Sequence, residues 1–203
     1  MKQKNGSLST SSGRVRDVGT ERPNSTPRRD VTRNRGRILA AARRVYRENG
    51  ATAPNDVIIA AAQVGLSTFY RHFPTRSDLH RALMDELVTA ATEIAERADN
   101  TEDPWTAFSD VFRHGCVLDD ADLALFHNLA AGTPELAAHA AELTARIVTP
   151  SLNRAQSAGL LPATLDTDTV VDLMTAAHTA PTAERRDIRA SVMLAGLRHP
   201  RPV

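Results

Sequence analysis

Histidine, cysteine and carboxylate side chains are the first candidates for chemistry in this 203-residue chain, and they gather most densely at His114, Cys116, Asp119, Asp120 and Asp122. A metal site would use such donors. His114 and Cys116 are two residues apart, so on a helix they point about 200° apart. The acids stand where a helix begins, a position that favours carboxylates without any ion. No metal site is therefore assigned. His127, His139 and His178 stand alone in helical contexts. No Ser/His/Asp spacing, paired carboxylate motif or phosphate-cradling glycine loop accompanies them, so no catalytic residue and no cofactor is assigned and the chain is not read as an enzyme.

A second set of residues points to nucleic acid. Gly65-Leu66-Ser67-Thr68-Phe69-Tyr70-Arg71-His72-Phe73 reads as a short helix. Val64, Phe69 and Phe73 would face a core, while Leu66, Ser67, Thr68 and Arg71 would project outward. A small hydroxyl or apolar group at the start of such a helix can meet base edges or a thymine methyl in the major groove. Tyr70, His72 and Arg76 are placed to bond phosphates, which fix register more than sequence.

Elements that position this helix are legible around it. Ile38, Leu39, Ala42, Val45 and Tyr46 recur at helical spacing, with Thr32 as a cap and Gly50 as a stop. Pro54 suits the first turn of a second helix ending near Ala62. Val64-Gly65 reads as a break. Pro74 ends the third helix, and Thr75 with Asp78 resembles a capping box opening a long helix over 76–98. The three short helices with a tight turn before the third form a helix-turn-helix.

Charge supports this division. Residues 1–76 hold 15 Lys and Arg against 5 Asp and Glu, whereas residues 77–203 hold 10 against 19. A basic head on an acidic body is the polarity of a DNA-binding head carried by a body that does not bind DNA. Residues 1–31, with few aliphatic groups (Leu8, Val15, Val18 and the terminal Val31), read as a disordered basic tail. The head then spans 32–76 and the body 77–203.

The body reads as helical throughout, with segments near 104–117, 119–131, 134–158, 168–180 and 181–197. Pro150 is expected to kink the third of these. The fold class is all-α, about nine helices in total, with no sheet. Trp105, Phe108, Phe112, Phe126 and Met174 are candidates for an apolar ligand pocket between helices, of modest size and unnamed ligand. The last two helices offer apolar stripes for dimerisation, with Val171, Met174, His178, Val192 and Met193 as the expected interface residues. No apolar run approaches the ~20 residues of a membrane span, no secretory signal is seen, and the single cysteine fits a reducing, cytoplasmic compartment.

The segment Gly50-Ala51-Thr52-Ala53-Pro54, followed by Val64 to Arg76, resembles the DNA-binding head of TetR-type regulators, most specifically at Thr68-Phe69-Tyr70-Arg71-His72-Phe73. The resemblance covers residues 32–87. Without a gap, it places Ile58 at the family's core isoleucine and Gln63 at its usual turn glycine, a substitution worth roughly 1 kcal/mol if that residue has positive φ. Ile59 stands where the family prefers alanine. The resemblance implies a homodimer whose two heads meet major grooves about 34 Å apart on a palindromic operator. It implies base-reading or adjacent roles for Leu66, Ser67 and Thr68, and phosphate contacts from Tyr70, His72, Arg76 and Thr52. It also implies a small-molecule effector whose binding shifts the long linking helix and releases the double-stranded DNA, usually of a repressed gene. An activator or architectural binder with the same head, or a helical ligand-binding or protein-interaction module that binds no specific DNA, remains open on the residues alone.

Overall fold

The computed structural model describes residues 27–199, with side chains from residue 30. Most of the expected tail, residues 1–26, lies outside the described residues. The described chain is all-helical: α1 (Pro27–Asn49), α2 (Asn55–Ala62), α3 (Leu66–His72), α4 (Arg76–Leu87), α5 (Thr89–Asp99), α6 (Pro104–Cys116), α7 (Asp120–Ala130), α8 (Pro134–Ser157), α9 (Thr167–His178) and α10 (Ala183–Leu197).

Two boundaries differ from expectation. α1 begins at Pro27, so Thr32 lies inside the helix and does not cap it. Proline is favoured in a first turn, where its missing N–H costs nothing. The helix expected over 76–98 is two helices, which brings the described total to ten. The break is at Val88, with φ −96° and ψ 5°. Around it, the Thr89 hydroxyl donates to the Asp85 carbonyl at 3.2 Å and the Thr92 hydroxyl to the Val88 carbonyl at 3.1 Å. Such back-bonding favours a bend, although the Val88 carbonyl keeps the Thr92 N–H at 2.9 Å.

The caps follow the sequence closely. The Thr75 hydroxyl accepts from the Asp78 N–H at 3.1 Å, and the Asp78 carboxylate accepts from the Thr75 N–H at 2.9 Å. Asp103, Asp119, Thr133, Asp166 and Thr182 each cap a helix start with a side-chain oxygen. Each such bond is worth about 1 kcal/mol.

Two cores organise the helices. The first joins Ile38, Leu39, Val45 and Tyr46 of α1 to Ile58, Phe69 and Phe73, and continues through Leu79, Leu83 and Met84 of α4 to Leu125, Leu129, Leu136 and Leu143. This core runs continuously from the helix-turn-helix head through α4 to α7 and α8. The second core holds Phe108, Phe112, Cys116, Leu152, Val170, Ala177 and Leu194, at the far end of the body.

Candidate nucleic-acid interface and ligand cavity

The turn before α3 has the geometry that the gapless register requires. Gln63 caps α2 with φ 52° and ψ 47° and is the one non-glycine residue with positive φ among those described. Gly65 is not the left-handed residue; it precedes α3 in extended backbone, φ −74° and ψ 153°. An L side chain in the left-handed region is disfavoured by about 1–2 kcal/mol. Arg37 of α1 partly offsets this by donating to the Gln63 carbonyl at 3.0 Å.

α3 then divides cleanly. Phe69 and, just after the helix, Phe73 are buried at 1% exposure, with ring centroids 6.2 Å apart. Leu66 is 63% exposed and Tyr70 44%. Ser67 and Arg71 are exposed and Thr68 is half-buried. The Tyr70 ring is set edge-on against Phe69. Thr52 is exposed in the turn before α2.

Two expected phosphate contacts sit differently. The Arg76 guanidinium turns inward: it bonds the Ala53 carbonyl and lies over the Tyr46 ring, 5.9 Å from its centroid. It ties the turn before α2 to the start of α4. His72 is half-buried, its Nε2 is enclosed without a hydrogen-bond partner, and burial, then Arg71 and Arg35, hold its pKa below the ordinary histidine value. Arg35, which sequence reasoning did not single out, stacks its guanidinium 4.8 Å above Phe73. That contact joins residues 38 positions apart in number, so no local pattern announces it.

The body contains a cavity of about 520 Å³ directly behind the Val88 break. Its apolar wall includes Leu87, Ile94, Val111, Phe126, Ile147, Val171 and Met174, and its polar wall Arg43, Glu86, Glu93, His114, Asp119 and Asp122. The His114 Nε2 is enclosed and unpartnered, and burial, then Arg97, lowers its pKa. α6 and α9 approach closely here, since a Cβ on Gly115 would stand 2.5 Å from the Met174 sulfur.

Of the five expected pocket residues, Phe126 and Met174 line the cavity and three do not. Phe108 and Phe112 are fully buried in the second core, and Trp105 lies near the surface under Arg198, 4.7 Å from ring centroid to guanidinium carbon. α6 has two apolar faces, and the cavity takes the one carrying Val111, His114 and Gly115.

The expected dimer residues divide between the interior and the surface. Val171 and Met174 face the cavity, and His178 is buried with its Nε2 2.7 Å from Asp120. Met193 is partly buried against the second core. Val192 is 67% exposed, and Ile188, one turn earlier, is 55% exposed. The α9 stripe is consumed by packing within the chain, which leaves α10 as the helix with an uncovered apolar face.

Among the described residues, no group of three or more His, Cys, Asp or Glu is placed to hold a metal. Asp119, Asp120 and Asp122 are engaged by Arg47, by Arg186 with His178, and by Arg43. No helix among the described residues is long and apolar enough to cross a membrane.

No protein-family model matches the chain. Solved structures do. The chain is 30% identical to the TetR-like transcriptional regulator LfrR from Mycobacterium smegmatis, solved in complex with proflavine, over 82% of this chain and 97% of that one, with a TM-score of 0.56. The chain belongs to the TetR family of transcriptional regulators. A TetR transcription regulatory protein from Mycobacterium vanbaalenii matches at 28% identity over 85% of this chain and 99% of that one, TM-score 0.55. The curated HTH-type transcriptional repressor LfrR of Mycolicibacterium smegmatis is 43% identical over 75 residues, which is 37% of this chain and 39% of the relative's length. The TetR-family fold, a helix-turn-helix head followed by a helical body, accounts for the ten described helices.

Proposed function

We propose that this TetR-family chain is a homodimeric repressor that binds a palindromic operator in double-stranded DNA and leaves it when a small molecule enters the cavity. The reading is carried by α3, whose buried phenylalanines fix an exposed row of Leu66, Ser67 and Tyr70 behind a left-handed turn at Gln63. Leu66, Ser67 and Thr68 meet bases, with Arg71 beside them. Tyr70 and Thr52 bond phosphates, and His72 does so only from the exposed part of its ring. Arg76 acts as a brace for the head. Residues 32–76 form the DNA-binding unit and 77–203 the effector and dimer unit, with α10 at the dimer face through Ile188 and Val192. The chain acts by binding and not by catalysis, in the cytoplasm, with no cofactor.

The cavity wall carries four carboxylates against one guanidinium, and His114 in it is biased to the neutral form by burial. An apolar ligand with a positive charge suits such a wall. The complex of LfrR with proflavine makes that planar cation a reasonable first probe.

Selection of bound duplexes from a random pool tests the whole reading. A palindromic product, bound with an affinity that falls steeply with salt as counterions are released, is the expected result. Failure to bind any duplex at low salt would return the chain to the ligand-binding module class.

A further inference from the structure

We propose that the ion pairs joining Arg43 and Arg47 of α1 to Asp122 and Asp119 of α7 form the latch through which the cavity controls the head. This rests on the regulator reading above and adds the residues that couple its two sites.

Arg43 meets Asp122 with both arms: Nε donates to Oδ1 at 2.9 Å and Nη2 bonds Oδ2. Arg47 Nη2 donates to Asp119 Oδ1 at 3.0 Å, and its Nη1 lies 3.6 Å from Asp122. The Asp122 side chain is only 17% exposed. A two-armed, partly desolvated pair is stronger and more directional than an exposed one. α1 belongs to the head, so these pairs tie the DNA-binding unit to the body at a point far from α4 in sequence.

Position gives the pairs their role. Arg43, Asp119 and Asp122 all line the cavity. Asp119 is also the cap of α7, accepting the Asp122 N–H at 3.0 Å. Between them, Asp120 accepts from Arg186 of α10 at 2.6 Å and faces His178 of α9. The first turn of α7 thus holds the head helix through Asp119 and Asp122, which line the cavity, and the helix with the exposed apolar face through Asp120. A ligand shifts a conformational equilibrium only through contacts that differ between the two states. A cation that takes Asp122 from within the cavity competes directly with Arg43, and the head is then released from α7. The latched state is the DNA-binding state.

Asp122→Asn gives a test in which simple electrostatics and the latch predict opposite signs. Removing a negative charge near a DNA-binding head strengthens attraction to phosphate. The latch predicts weaker binding, by roughly tenfold, because the head loses its posture. Anisotropy of a labelled selected duplex, with and without proflavine, reads both the affinity and its ligand response; a thermal melt checks folding. In Asp122→Asn the proflavine response should shrink along with the affinity. The exchange variant Arg43→Asp/Asp122→Arg should recover affinity towards the wild-type value, and it carries the test if the single variant fails to fold. Asp122→Asn binding as tightly as or more tightly than wild type, or exchange variants that fold but stay weak, would overturn the latch while leaving the regulator intact. A wild-type chain that binds no duplex would instead remove the regulator reading itself.

Discussion

The Arg37 guanidinium reaches across 26 positions to the main-chain carbonyl of Gln63, 3.0 Å away, at the residue whose left-handed backbone aims α3. α1 therefore stabilises the turn that it does not contain. Replacing Gln63 with glycine removes the Cβ penalty of the left-handed region but adds backbone entropy to the unfolded chain. The first effect is larger, so Gln63→Gly should stabilise by roughly 0.5 kcal/mol. Arg37→Ala should destabilise by about 1 kcal/mol, the worth of a charged hydrogen bond partly open to solvent. Urea titrations of both variants check the signs; destabilisation by Gln63→Gly would mean that the glutamine side chain contributes more than its backbone costs.

Residues on α3 and α4 that look equivalent in sequence should behave differently on DNA. Tyr70→Ala should weaken binding to every duplex alike, and Leu66→Ala or Ser67→Ala should change which sequences are preferred. Arg76→Ala should lower the melting temperature, because its guanidinium is spent on Ala53 and Tyr46. Salt dependence separates the roles. Loss of a phosphate contact lowers the slope of log affinity against log salt by about 1, so Arg76→Ala should leave that slope at its wild-type value. A reduced slope would return Arg76 to the phosphate contacts.

How much of this was legible in the sequence depended on whether the cause was local. The Thr75–Asp78 box and the outward row of α3 are set by spacing within a few residues, and each stands where spacing places it; the turn at Gln63 stands where the family resemblance places it, one residue before the break that Val64-Gly65 suggests. The break at Val88 was not legible, because Leu79, Leu83, Leu87, Ala91 and Ile94 keep one helical period straight through it. α6 shows a different limit. Periodicity identifies Phe108 and Phe112 as one face, but Val111 and Gly115 form another, and only the packing of α8 and α9 decides which face meets the cavity. The same ambiguity misplaced Val171, Met174 and His178, since an apolar stripe does not say whether its partner lies in the same chain.

Gly115 is the position where α6 and α9 leave no space for a side chain. A Cβ there would meet the Met174 sulfur at 2.5 Å. The sulfur is near the end of a flexible side chain that borders the cavity, so Met174 can give way into that space. Gly115→Ala should therefore cost about 1 kcal/mol, the low end for overpacking, and should weaken proflavine binding because Met174 then takes cavity space. Shortening the neighbour relieves the clash, so Gly115→Ala/Met174→Ala should be more stable than the two separate losses predict when summed. Thermal melts and dye titration measure both effects. Strict additivity would show that α6 and α9 separate freely at this point.

Cys116 is buried in the second core, and burial pushes its thiol pKa up to about 11. Nucleophilic attack needs the thiolate, so a disulfide reagent at pH 8 should label the native chain very slowly and the urea-unfolded chain at once. Fast labelling of the folded protein would mean that the second core opens on the timescale of the reaction.

His80 gives the head a defined acid limit. It is buried at 8% exposure, its Nε2 is 3.2 Å from the Tyr46 hydroxyl, and its ring meets Tyr46 edge-on. Burial, then the nearby Arg76 charge, lowers its pKa from the ordinary 6.5 to about 4. Between those two values the unfolded chain binds more protons at this site than the folded one does. The sign is then fixed: the contribution is constant above pH 6.5, and stability falls as pH drops towards 4. His80→Gln keeps a hydrogen-bonding group near Tyr46 but cannot titrate. It should flatten the part of the stability profile between pH 6.5 and 4, whatever it does to stability at neutral pH. Denaturant midpoints across that range decide the matter; a variant whose pH profile parallels the wild type would show that another group sets the acid limit.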